Sequence, residues 1–114
     1  LEDLAAHPIL THARGSWPHR LLADHFHMRS ARLVPSSNLA TCLQMTVDGM
    51  GVAVLPKAMA SRELVEGGLM ALDYHWTPAD LEFQARYQSD KSPRYVAQAA
   101  SLAARVATNF AKTN

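Results

Sequence analysis

The sequence predicts an α/β domain with an open, mainly parallel sheet and flanking helices, and three observations carry that expectation. Short apolar runs alternate with amphipathic helical patterns along most of the 114 residues. Capping and turn residues sit where each pattern changes. Apolar residues make up 48% of the chain and charged residues 18%, enough to build a buried core. Strands alternating with helices imply parallel strands joined by right-handed crossovers.

The first seven residues, LEDLAAH, read as a helical turn leading into the fold. Pro8 to His12 reads as a strand around Ile9 and Leu10. A turn-like cluster, Ala13-Arg14-Gly15-Ser16, follows. A helix is expected from Trp17 to about His27, with Ser16 as its N-cap and Pro18 in its first turn, where a missing N–H costs nothing. Leu22 and Phe26, four residues apart, mark its inner face. Arg32 to Pro35 reads as a second strand, and Ser36-Ser37-Asn38 as a second cap.

Leu39, Cys42, Leu43, Thr46 and Val47 fall at i, i+3, i+4, i+7 and i+8, the buried face of a helix. Gly49 stands just past the end of this pattern, where helices commonly turn left-handed. Gly51 leaves room for the chain to pass close to a neighbour. Val52 to Leu55 is apolar on both faces, as a buried parallel strand should be. Pro56 stops it, and a helix should run from Lys57 to Glu66, ended by Gly67 and Gly68. Leu69 to Leu72 reads as another short strand. Leu81 to Tyr87 alternates apolar and polar residues, the pattern of a half-exposed edge strand. Ser92 and Pro93 open the last and longest helix. Its stripe is Tyr95, Ala99, Leu102, Val106 and Phe110. The expected order is β-α-β-α-β-α-β-β-α.

Composition also excludes classes. The net charge is +1 and no basic block occurs, so this segment is not expected to grip nucleic acid. Cys42 is the single cysteine, which rules out an internal disulfide and fits a reducing, cytosolic setting. No apolar run reaches the roughly 18 residues of a membrane span. The chain begins at Leu1 without methionine and reads as a piece of a longer protein.

In an open parallel sheet, ligands bind beyond the carboxyl ends of the strands. Three turns should meet there: Ala13 to Trp17, Ser36 to Asn38, and Pro56-Lys57. Each precedes a helix N-terminus, where unpaired N–H groups and the helix dipole favour anions. Arg14, Ser16, Ser37 and Asn38 add donors, and Trp17 could wall off or stack on a ligand. A small polar or anionic molecule, a carboxylate above all, suits such a site. Ser16, Ser37 and Asn38 are equally readable as helix caps with no ligand role. His25 and His27 do not share a helix face, His7 and His12 flank a strand, and no His/Cys pair has zinc-like spacing, so neither metal nor cofactor is expected. RGSWP lacks the second glycine of a nucleophile elbow, and no acid, base and nucleophile converge, so an enzyme is not expected. Cys42 reads as a packed core thiol, Trp17 and Trp76 as core or rim packing, and Arg62, Glu63 and Glu66 as a solvated helix face.

The run from DLAAHPIL through VDGMGVAVLPKAMASRELVEGGLMAL resembles the effector-binding domain of LysR-type transcriptional regulators. Gly49, Gly51, Val52, Leu55, Pro56, Glu63, Leu64, Gly68 and Leu69 fit the family's ordered pattern, and the likeness extends from about Leu1 to Phe110. The resemblance implies a fold similar to type II periplasmic binding proteins, in which two α/β lobes hold a small-molecule effector between them. Residues 1–90 would be the second lobe. Residues 91–114 would be the C-terminal helix that returns toward a first lobe not contained in this chain. Effector contacts would come from Arg14, Gly15, Ser16, Trp17 and Asn38. Trp17 stands where smaller residues are common, which implies a smaller or aromatic-stacking effector. Regulatory domains of the family dimerise, and His19, Leu22, Ala23 and Phe26 are the implied interface residues. DNA would be bound only through an N-terminal helix-turn-helix outside this chain. The protein would be cytoplasmic, without membrane contact. A lobe of a periplasmic solute-binding protein serving a transporter is the alternative with a similar fold.

Overall fold

The computed structural model describes residues 4–27, 30–82 and 84–113. The elements are a 3-10 turn at Leu4–Ala6, β1 at Ile9–Thr11, α1 at Trp17–Phe26, β2 at Leu33–Pro35, α2 at Leu39–Val47, β3 at Val52–Ala53, α3 at Lys57–Glu66 and α4 at Arg94–Thr113. The chain divides into two compact units, residues 1–81 and 82–114.

In the first unit the sheet has the order β2-β1-β3, and both pairings are parallel. Ile9 lies opposite Leu33 on one side and Val52 on the other. All three residues of β1 are buried, as a central strand covered on both faces must be. The core gathers Leu4, Ile9, Leu22 and Phe26, with Leu33, Val52, Val54, Leu72, Tyr74 and Trp76 packed against it. Cys42 is buried beneath α2, as the periodicity predicts, and burial raises its thiol pKa. Val47, expected on the same inner face, is exposed at the last turn of α2.

The stretch VDGMGVAVLP shows how local chemistry places β3. Gly49 has φ +76°, and its N–H bonds the Thr46 carbonyl while the Met50 N–H reaches the Met45 carbonyl. That pair of bonds is a Schellman ending, which satisfies carbonyls that the helix would otherwise leave open. Gly51 then slides against Pro8, whose carbonyl oxygen accepts from the Val52 N–H at 2.9 Å. A Cβ on Gly51 would sit inside the van der Waals surface of that same oxygen. The glycine therefore lets β3 start flush against β1. Only Val52 and Ala53 join the ladder, and Val52 to Leu55 are half-buried rather than fully enclosed. Among the described residues the outer edge of β3 has no strand beside it.

Two runs depart from the expected order. Leu69 to Leu72 forms no strand, and Met70 is largely exposed. In the segment Leu81 to Tyr87, Phe83 lies outside the described residues, and residues 81–82 and 84–87 form no strand. An alternating or apolar run becomes a strand only when a neighbouring edge takes its N–H and C=O groups. Local pattern cannot supply that edge.

α3 begins at Lys57 with Pro56 as N-cap, and the Pro56 carbonyl accepts from the Met59 and Ala60 N–H groups. Gly67 ends it at φ +80°. Arg62 and Glu66 form an exposed i, i+4 ion pair, the solvated face expected. Glu63 departs from that face: it is half-buried, and its Oε2 has no hydrogen-bond partner among the described residues.

The second unit is dominated by α4. It starts at Arg94, so Pro93 stands just before the helix rather than at its first position. Tyr95, Leu102, Val106 and Phe110 lie at the expected spacing and are each more than half exposed. No helix among the described residues is long and apolar enough to cross a membrane.

Replacing either glycine should destabilise the first unit by different amounts. Gly49→Ala should cost about 1 to 2 kcal/mol, the strain of a left-handed alanine. Gly51→Ala should cost more, about 2 to 3 kcal/mol, because backbone must move away from Pro8. Urea denaturation followed by circular dichroism measures both, and equal costs would contradict the close pass at Pro8.

Candidate functional site

Three parallel strands end at the same side of the sheet, and each runs into a turn that starts a helix. The Ser36 N–H bonds the Thr11 carbonyl at 2.9 Å, which ties the turn after β2 to the end of β1. β3 lies on the opposite side of β1 and leads through Val54 and Leu55 to Pro56. The turns at 13–16, 36–38 and 56–57 therefore converge at one end of the sheet, as the sequence order requires.

The turn after β1 is closed by the Ser16 N–H on the Ala13 carbonyl at 3.0 Å. Gly15 takes φ +78°, and its N–H donates to His19 Nδ1 at 3.3 Å. Ser16 Oγ accepts from the His19 N–H at 3.4 Å and caps α1. His19 is thus engaged with the turn through both its backbone and its ring. Arg14 and Trp17 are exposed at the rim.

At α2, Asn38 Oδ1 accepts from the Ala40 and Thr41 N–H groups at 2.8 and 3.3 Å. The Ser36 hydroxyl donates to the Asn38 carbonyl and accepts from the Asn38 N–H. Ser37 is exposed beside them. Ser16 and Asn38 therefore do act as caps. Capping engages the His19, Ala40 and Thr41 N–H groups and Pro18 has none, so the Trp17 and Leu39 N–H groups, one on each helix, are what the first turns still offer an anion.

Two residues of this region escaped the sequence reading. Thr11 is fully buried in the central strand, and its Oγ1 donates to the His12 carbonyl at 3.0 Å. His12 follows at the strand end. Both its ring nitrogens are buried without a hydrogen-bond partner among the described residues, and burial lowers its pKa. The available signal was a lone polar pair, Thr-His, continuing an apolar strand directly into the turn. Among the described residues no group of three or more His, Cys, Asp or Glu side chains could hold a metal ion.

The four residues expected at a dimer interface divide by burial. Leu22 and Phe26 are 2% and 4% exposed and belong to the core under α1. Their spacing marks the inward face, so in this structure they offer no surface to a partner. His19 and Ala23 are half-buried at the flank of the helix.

An open parallel sheet with flanking helices and helix N-termini gathered at its carboxyl end defines an α/β ligand-binding class. The family model described as LysR substrate binding domain matches residues 1–107, nearly the whole chain. The chain belongs to this family, the regulatory domains through which LysR-type transcriptional regulators sense ligands, built on a periplasmic-binding-protein-like fold. Regulators of this type bind small effectors and oligomerise. No curated protein and no solved structure gave a match.

His12 makes stability depend on pH. Its neutral ring is favoured in the fold, so the unfolded chain binds the extra proton more readily. Stability is full above the ordinary histidine pKa of about 6.5 and is lost as pH falls below it. Melting temperature should therefore drop between pH 7.5 and 5.5, and His12→Gln should flatten part of that drop. An unchanged slope in the variant would remove His12 as its cause.

Proposed function

We propose that this chain is the second lobe of a LysR-type effector-binding domain. It takes a small anionic effector, a carboxylate, against the turn of residues 13–17 and the start of α2. The observation that supports this reading most is the convergence of two capped helix N-termini beside Arg14 at one end of the sheet. The Trp17 and Leu39 N–H groups would donate to the carboxylate oxygens, Arg14 would supply the countercharge, and the Trp17 ring would cover one side. Nothing in this arrangement calls for catalysis. An effector acts by population shift: it favours whichever arrangement of lobes and subunits it binds more tightly. DNA contact, in this reading, belongs to a helix-turn-helix elsewhere in a cytoplasmic regulator.

Residues 91–114 complete the proposal. The exposed stripe Tyr95, Leu102 and Val106 suits a helix that packs on a first lobe. Self-association would use the flank of α1, through His19 and Ala23, rather than Leu22 and Phe26.

A panel of small mono- and dicarboxylic acids, with sugars and amines as controls, tests the site by calorimetry on the intact regulator. A carboxylate should bind, and Arg14→Ala should weaken it about ten- to a hundredfold, the worth of a charge-assisted hydrogen bond. Binding confined to sugars or amines, or untouched by Arg14→Ala, would sink the proposal. For the interface, Ala23→Arg should shift the regulator toward smaller species in analytical ultracentrifugation. An unchanged distribution would place the interface elsewhere.

A further inference from the structure

α1 carries a second constellation, remote in sequence from the effector turn. His25 lies flat on Trp76, with ring centroids 3.9 Å apart and planes 6° from parallel. Its Nε2 is 3.0 Å from the Tyr74 hydroxyl. Phe26 meets the same imidazole edge-on at 4.7 Å. Tyr74 and Trp76 belong to the stretch that the sequence leaves without a regular element, and both are half-buried against the core. A histidine so placed is the main polar tether between that stretch and α1 among the contacts described.

We propose that His25 is a pH-responsive clamp, holding residues 74–76 on α1 more firmly when its ring is protonated. One physical effect favours the charged clamp, and the other polar contact does not oppose it. An imidazolium over an indole face is attracted by the ring quadrupole, which a neutral imidazole feels far less. The Tyr74 contact survives the change, because a hydroxyl both donates and accepts. In the neutral ring Nε2 can accept the Tyr74 proton; in the charged ring Nε2–H donates to the Tyr74 oxygen. Among the described contacts, further groups face the ring. From the 74–76 stretch they are the Tyr74 hydroxyl and the His75 imidazole, whose centroid is 6.0 Å away. Along α1 the charges nearest in sequence are Asp24 and Arg20, both exposed. Leu4, Ala5, Ala31 and Leu33, packed into the same core, carry no charge. A charged His75 would oppose the clamp, and Asp24 would support it.

The clamp differs in sign from His12, which weakens the fold when protonated. Acidification therefore tightens one contact while the fold as a whole loses stability, and the two effects are separable.

Trp76 itself reports the clamp. The chain has two tryptophans, so in a Trp17→Phe variant Trp76 is the sole indole. A stacked imidazolium quenches indole emission. Emission should fall in one sigmoidal step as pH is lowered through the histidine range, with far-UV circular dichroism unchanged. His25→Gln in that background should abolish the step. Amide protection factors at residues 74–76 should rise about two- to fivefold over the same interval, as a partly exposed cation–π contact allows. A flat titration with the fold intact, the same step in His25→Gln, or falling protection would each overturn the proposal. If His25→Gln does not fold, NMR of the Trp17→Phe chain decides instead. The His25 ring proton should be shifted upfield by the indole, and Trp76→Leu should remove that shift; a resonance at its ordinary position, or one unmoved by Trp76→Leu, counts against the clamp.

Discussion

Everything in the first unit hangs on β1 being paired on both sides. Its three residues exchange ladder bonds with β2 and β3 and are shut off from water on both faces. A buried backbone gains nothing from water, so it must find all its partners in protein. That requirement fixes the register of two other strands and, through them, the positions of three helix starts. The Gly51–Pro8 approach is the tightest point of this arrangement. Without it the third strand could not close on the first.

The candidate site follows from the same constraint rather than from any special cluster of side chains. Parallel strands send their carboxyl ends the same way, and short turns leave each helix little freedom in where to begin. Ser16 and Asn38 then serve two ends at once. Their side chains hold the turns, and the turns aim backbone donors at common ground. Of the two readings that the sequence left open for Ser16 and Asn38, the hydrogen bonds show the cap, which holds the helix starts in place.

α1 joins two regions with different chemistry. Its N-terminus follows the turn of residues 13–16, where His19 is tied to Gly15 and Ser16. Its C-terminal half carries Phe26 into the core and His25 onto Tyr74 and Trp76.

The sequence by itself determined whatever depends on local chemistry. Helix starts at Ser16, Asn38 and Pro56, helix ends at Gly49 and Gly67, the buried Cys42, and the parallel order of β1 to β3 were all legible, because caps, glycines and periodicity act within a few residues. So was the family, from the spacing around VDGMGVAVLP. Tertiary structure alone decided what needs a distant partner. Leu69 to Leu72 forms no strand, because an apolar run does not itself specify a pairing partner. Spacing marked Leu22 and Phe26 as an inner face, and the fold covers them so fully that they present no surface. The His12 ring nitrogens end up shielded from water without a hydrogen-bond partner among the described residues, and His25 finds Trp76 across 51 residues of chain, only once the sheet has assembled. Periodicity shows which face is apolar, but not what will lie against it.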